Sequence, residues 1–180
     1  MSSVEILDVK EVKEPKQIKV FKVSFKEDGK VKKKEVTKNL DVVKILIYHK
    51  EKDAFVLVKQ FRPLVYINHP ESAVRYELCG GRMDKNISIE DTAKEEVLEE
   101  TGYKVQNLQK ITTLTTSGKM HLFYTQVSDH DRKTSGGGVE YENIDVVYLP
   151  VKEAKEFMFD ESKPKRPGLM FSFCWWFNMR

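Results

Sequence analysis

Glu95-Glu96-Val97-Leu98-Glu99-Glu100-Thr101-Gly102-Tyr103 decides how this chain is read. Residues three and four apart share one face of a helix. A helical reading therefore gathers the carboxylates of Glu96, Glu99 and Glu100 and turns Val97 toward a core. Like charges at that spacing weaken a helix unless cations lie between them. Hard divalent ions such as Mg2+ take oxygen ligands and bridge carboxylates to the phosphates of a substrate. A solvated acidic helix face is the plain alternative, and the flanking residues decide between the two.

Ser88 followed by Asp91 makes an N-cap with an acidic partner, an aspartate variant of the capping box, and Gly102 is placed to stop the helix. The spacing predicts a helix over about 89 to 101 that buries Ile89, Ala93, Val97 and Thr101. Gly80-Gly81 opens a polar loop before it, and Val74 to Leu78 reads as a strand. Leu40 to His49 and Ala54 to Phe61 are apolar strands joined by Lys50-Glu51-Lys52-Asp53, short enough for a hairpin. Pro63 and Pro70 bracket a loop. Downstream, 104 to 115 and 120 to 127 read as strands; in the second, Met120, Leu122 and Tyr124 share one face and His121, Phe123 and Thr125 the other. Gly136-Gly137-Gly138 reads as a flexible polar loop, Ile144 to Leu149 as a strand, and Val151 to Phe159 as a helix. Pro164 and Pro167 precede a last aromatic helix. Short alternating runs within residues 5 to 37, including Ile18 to Val23, suit half-buried strands, with Asp28-Gly29 as a hairpin turn. Strands on either side of a central helix predict a mixed α/β layer architecture.

A chain of 180 residues is long enough for one domain with a sizeable core. Its 31 basic and 28 acidic residues are interspersed, which argues against a dedicated nucleic-acid binder. Cys79 and Cys174 each stand beside apolar residues and read as buried free thiols of a reducing compartment. There is no apolar leader at the start, and the apolar cluster from Leu169 to Phe177 is too short to span a bilayer. A cytoplasmic protein without a membrane partner is the expectation. The four histidines (His49, His69, His121 and His130) have no metal-site spacing, so zinc is not indicated.

The run from Glu77-Leu78-Cys79-Gly80-Gly81 to Gly102-Tyr103 resembles the signature of the Nudix hydrolases. Gly81 matches its glycine loop, Glu96 its first helical glutamate, Glu99-Glu100 its glutamate pair, and Gly102-Tyr103 its close. Two positions depart: Ile87 stands where an acidic residue is expected, and Glu95 where an arginine is expected to orient the glutamates. Gln60-Phe61-Arg62-Pro63, Tyr76 to Gly81, Gly136 to Glu140 and Val146 to Pro150 are similar to the UDP-sugar (UDP-glucose) diphosphatases of the family. The resemblance covers roughly residues 40 to 178.

It implies a Nudix-type α/β/α sandwich with a mixed central sheet and small N-terminal antiparallel strands. Residues 1–38 would be the N-terminal, dimer-forming strands and 39–180 the hydrolase domain of a cytoplasmic homodimer. It implies Mg2+ as cofactor, with Mn2+ as an alternative, and hydrolysis of a nucleotide sugar, UDP-glucose giving UMP and glucose 1-phosphate. ADP-ribose or another ADP-sugar is a second substrate class. An inactive Nudix-fold module that binds nucleotide or protein is the reading that Ile87 and Glu95 favour.

By the same matching, Glu96 and Glu100 are the principal metal ligands, with Glu99 adjacent and the Gly80 carbonyl contributing. Glu99 and Glu100 count among the catalytic residues, joined by Glu140 or Glu142, one of which completes the metal set or acts as general base. Arg62 pairs with diphosphate oxygens through its planar fork. Glu77 contacts substrate or metal, or only steadies the glycine loop. Phe61, Tyr76 and Tyr66 are candidates to stack on uracil, with core packing as the alternative. The stretch from Phe171 to Phe177 reads as a helix packed on the sheet.

Overall fold

The computed structural model describes residues 4–10, 14, 19–139 and 142–179. Its centre is a six-stranded sheet in the order β5-β4-β3-β7-β6, with β8 on the free side of β4. The strands are β3 (Val42–His49), β4 (Ala54–Phe61), β5 (Val74–Glu77), β6 (Gln109–Thr115), β7 (Lys119–Val127) and β8 (Ile144–Pro150). β3 runs parallel to β7, and the other pairs are antiparallel, so the sheet is mixed. A separate antiparallel hairpin, β1 (Val20–Glu27) and β2 (Lys30–Thr37), turns at Asp28-Gly29, where both residues have positive φ. Its side chains are almost all exposed, not half-buried as the alternation suggests, because among the described residues it pairs with no strand of the central sheet; Ile18 lies outside those residues.

Alternation along the strands feeds two cores. Val43, Ile45, Ile47, Val56, Val58 and Phe123 face one way and pack with Ala93, Val97 and Tyr103. Leu46, Phe55, Leu57, Leu122 and Tyr124 face the other way and pack with Phe157 of α3 (Val151–Phe159) and Leu169 and Phe173 of α4 (Pro167–Met179). Phe55 meets Phe173 at 4.7 Å between ring centroids and Trp176 at 5.0 Å, contacts that add to the area they bury. The result is the expected α/β/α sandwich.

The site is positioned by a fork in this sheet. β3 and β4 pair over only Ile47↔Val56, Tyr48↔Phe55 and His49↔Ala54, then part. β5 and the residues after it enter the gap. β5 takes up the rest of β4, while the Val43 and Ile45 N–H groups donate to the Gly81 and Cys79 carbonyls. Gly80 therefore lies against β3 at φ +131°, where a Cβ would collide with the Val43 carbonyl.

α2 (Ile89–Glu96) opens as predicted, with the Ser88 hydroxyl accepting from the Asp91 N–H at 3.0 Å. Its last turn, Val97–Thr101, is π-helical, and Gly102 closes it in the left-handed region at φ +78°. Such a turn leaves carbonyls free and recurs at functional sites.

Several expectations are corrected. Pro63–Asn68 is a short helix, α1, followed by a 3-10 turn at Pro70–Ser72, not a loop; Pro63 holds the first-turn position where its missing N–H costs nothing. The strand expected from 104 begins only at Gln109. Gly136-Gly137-Gly138 is not free: the N–H groups of Gly137 and Gly138 donate to the Glu100 and Glu99 carbonyls at 2.9 and 3.0 Å. Cys79 is buried but Cys174 is exposed, since α4 turns it away from the core. Among the described residues no helix is long and apolar enough to cross a membrane.

Gly80→Ala combines a forbidden φ with a backbone collision and is expected to cost more than about 2 kcal/mol. Gly29→Ala, in open space, should cost about 1 kcal/mol. Urea unfolding of both variants measures the difference, and equal costs would remove the fork from the argument.

Candidate active site

Glu96, Glu99 and Glu100 reach the fork from the last turns of the helix, on the side of Gly80-Gly81. Glu100 is 4% exposed and accepts a hydrogen bond from the Gly80 N–H at 2.8 Å. The Glu96 carboxylate lies flush on Gly81, so close that a Cβ there would collide with it. Glu99 is further out, 3.6 Å from Lys85. Glu95, at the position where the resemblance expects an arginine, is exposed and pairs with Lys85 at 2.7 Å.

Burial pushes the Glu96 carboxyl up to about 7; Glu100, Glu99 and Glu142 push the same way, and Lys44 opposes them. Burial also raises Glu100, against the Lys44 charge and the Gly80 hydrogen bond. These are all-oxygen donors with more negative charge than the protein balances locally, the donor chemistry that suits a hard divalent ion. The Gly80 carbonyl belongs to the same group; the Lys44 ammonium donates to it and to the Leu78 carbonyl, the latter at 3.3 Å. Burial and the nearby Glu100 raise the Cys79 thiol well above its usual value, so it stays neutral in this setting.

Glu142 is exposed and its side chain accepts from the Val139 N–H at 3.2 Å. Its charge acts on Glu96, Glu100 and Arg62, so the glycine loop brings it to the site. Glu140 lies outside the described residues.

Glu77 is completely buried in the second layer of this site. Arg62 grips it with two hydrogen bonds, at 2.9 and 2.7 Å, and Arg75 adds one at 3.0 Å. Arg166 approaches at 3.4 Å and Lys44 at 3.9 Å. Burial pushes this carboxyl up, but the Arg62 hydrogen bonds and the Lys44, Arg62 and Arg166 charges outweigh it and hold it at about 2. The cations exceed what one carboxylate neutralises, which leaves the partly exposed Arg62 and Arg166 able to face an anion. Arg75, Arg166 and Lys44 were not anticipated. Arg166 joins from a distant segment, but Lys44 did carry a signal: a lone lysine inside an apolar strand.

The aromatic candidates divide. Phe61 and Tyr66 lie 5.9 Å apart beside Arg62, whereas Tyr76 packs edge-on against Phe157 at 5.1 Å and belongs to the second core.

A second cluster forms at the far end of β3. His49, Glu51 and Asp129 each bring a ligand atom to within 4.8 Å of the others, a group capable of holding a divalent ion. Sequence spacing gave no sign of it, because Asp129 arrives from the turn after β7. Here His49 is buried, 3.4 Å from Glu51 and 3.2 Å from Asp129, while Lys52 holds Asp129 at 2.6 Å.

A family model described as NUDIX domain matches residues 38–168. A uridine diphosphate glucose pyrophosphatase of Bos taurus is 32% identical, covering 86% of this chain and 85% of that protein. A GDP-mannose pyrophosphatase of Pectobacterium atrosepticum is 37% identical over 78% of this chain and 76% of its own length. A crystal structure of an ADP compounds hydrolase superposes with a TM-score of 0.66 at 20% identity, covering 88% of this chain and 84% of the other, a likeness of fold.

Glu77 has a folded value of about 2 against an ordinary 4.5. Its stabilising contribution is complete above pH 4.5 and disappears as pH falls toward 2, with a full size on the order of 3 kcal/mol. Denaturant titrations at pH 7 and pH 3 should show this loss in the wild type. Glu77→Gln should be weaker at pH 7 and much flatter between the two; parallel pH profiles would contradict the pairing.

Proposed function

This chain belongs to the Nudix family, and from that premise we propose that it hydrolyses the diphosphate of a nucleoside-diphosphate sugar with Mg2+ or Mn2+, preferring UDP-glucose. The observation that carries this reading is the convergence of Glu96 and Glu100 on Gly80-Gly81 beside the Arg62 fork. Similarity to relatives named for UDP-glucose and for GDP-mannose supports the nucleotide-sugar class. The more complete coverage of the first favours uridine and glucose.

The residues that would hold the ion are Glu96, Glu100 and the Gly80 carbonyl, with Glu99 beside them; when bound it would neutralise the diphosphate and lower the pKa of a coordinated water. Arg62 holds Glu77 with its Nε and Nη2 fork and offers the remaining guanidinium N–H groups to the diphosphate oxygens, so Glu77, wholly buried, acts through Arg62 by fixing the guanidinium. Phe61 and Tyr66 flank the same arginine and offer apolar faces to the base, while Tyr76 packs against Phe157 in the second core. Glu142, or Glu140 in the same loop, takes the proton of the attacking water. Water adds to one phosphorus and the bridging oxygen leaves with the other phosphate, so UDP-glucose gives UMP and glucose 1-phosphate. N-terminal residues 1–38 pair with a second copy in a cytoplasmic homodimer, which the exposed Phe21, Val23 and Val36 of the hairpin support. Of the two departures behind the inactive-module reading, Ile87 and Glu95, the second is answered by its outward pairing with Lys85.

Release of UMP from UDP-glucose is expected with Mg2+ and not with EDTA, and ahead of release from GDP-mannose and ADP-ribose. Glu100→Gln should lower turnover on the order of a hundredfold or more with a modest change in stability. Gly81→Ala, which displaces the Glu96 carboxylate, should cost about tenfold or more in kcat. Silence across the substrate panel, or full activity in Glu100→Gln, would sink the reading.

A further inference from the structure

We propose that Lys44 is the internal counter-ion of the Glu96–Glu100 site, replacing the arginine absent at position 95 and setting how tightly the site takes a divalent ion. The inference rests on the metal reading of that site. It begins with the cost of Lys44 itself. Val43, Ile45, Leu46 and Ile47 around it on β3 are fully buried, and Lys44 is 6% exposed. An ammonium is kept in such a place only when it is paired and hydrogen-bonded. Its partners are all at the fork: the Leu78 carbonyl at 3.3 Å, the Gly80 carbonyl, and Glu77 at 3.9 Å.

Glu77 takes charge from Lys44 at 3.9 Å, but its oxygens are hydrogen-bonded by Arg62 and Arg75. Among the described residues, no lysine or arginine forms an ion pair with Glu96 or Glu100. Lys85, the other lysine nearby, reaches only Glu95 and Glu99 and is half exposed, so its pairs contribute little. Lys44 and Glu100 meet at the same residue, Gly80, one at its carbonyl and the other at its N–H, and the Lys44 charge acts on both buried glutamates. It also donates to the carbonyl that those glutamates would share with an ion. Its position gives Lys44 two opposite effects. It steadies the carboxylates and the glycine loop without a metal, and it repels a divalent ion that comes to the same oxygens.

A lysine that merely supported the glycine loop would make a variant less stable without making it bind metal better. The test is Mg2+ titration calorimetry together with melting temperature, with and without Mg2+, on wild type, Lys44→Met, Lys44→Arg and Glu100→Gln. Lys44→Met should melt lower without Mg2+, bind Mg2+ roughly tenfold more tightly, and gain more in melting temperature from Mg2+ than the wild type. Lys44→Arg, which keeps the charge, should stay near wild type in both. If Lys44→Met does not fold, Lys44→Gln carries the same expectation, retaining an N–H donor without the charge. Unchanged or weaker Mg2+ binding in the folded neutral variant overturns the proposal while wild-type binding that is lost in Glu100→Gln leaves the site standing. Absence of Glu100-dependent binding in the wild type overturns the site and the proposal with it.

Discussion

Where β3 and β4 separate, backbone N–H and C=O groups in the middle of a buried sheet lose their partners, and the chain must supply others. It does so with residues 74 to 81, which pair with β4 on one side and give their carbonyls to Val43 and Ile45 on the other. The rest of the site follows from that insertion. Glu77 is buried because its strand is interior. Gly80 and Gly81 are glycines because one lies against β3 and the other beneath the Glu96 carboxylate. Glu100 finds the Gly80 N–H because the inserted segment has just turned away from strand geometry.

Two groups of buried carboxylate meet at the fork, and the protein treats them oppositely. Glu77 is surrounded by more cationic charge than it can neutralise and titrates at about 2. Glu96, on the other side of the glycine pair, is short of cationic charge and titrates at about 7. Burial raises both, so the difference comes from the neighbours. One side of the fork thereby carries surplus positive charge and the other surplus negative charge.

What could be read from the sequence was local. The Ser88 cap, the Gly102 stop, the Asp28-Gly29 turn and the two faces of β7 follow from spacing and side-chain chemistry, and the structure repeats them. The glutamates were legible as a motif because helical period alone brings them together. Contacts made across the fold were not. Lys44 meets Gly80 over 36 positions and Arg166 meets Glu77 over 89, separations at which no periodicity operates. Pro63–Asn68 is too short for a helical period to declare itself, although its leading proline was a usable sign. The glycine triplet looked flexible because its composition is permissive; its hydrogen bonds to the Glu99 and Glu100 carbonyls are visible only in three dimensions.

Those last hydrogen bonds bear on how such a protein diverges. The segment carrying Glu142 is tied to the π turn through main-chain atoms of Gly137 and Gly138. No side chain beyond Gly138 is needed to keep that attachment. Mutations in the following residues can therefore change the loop's side chains without removing the main-chain bonds that hold it to the glutamate helix. The tether separates two requirements, leaving the loop's side chains free to vary while its attachment to the glutamate helix stays fixed.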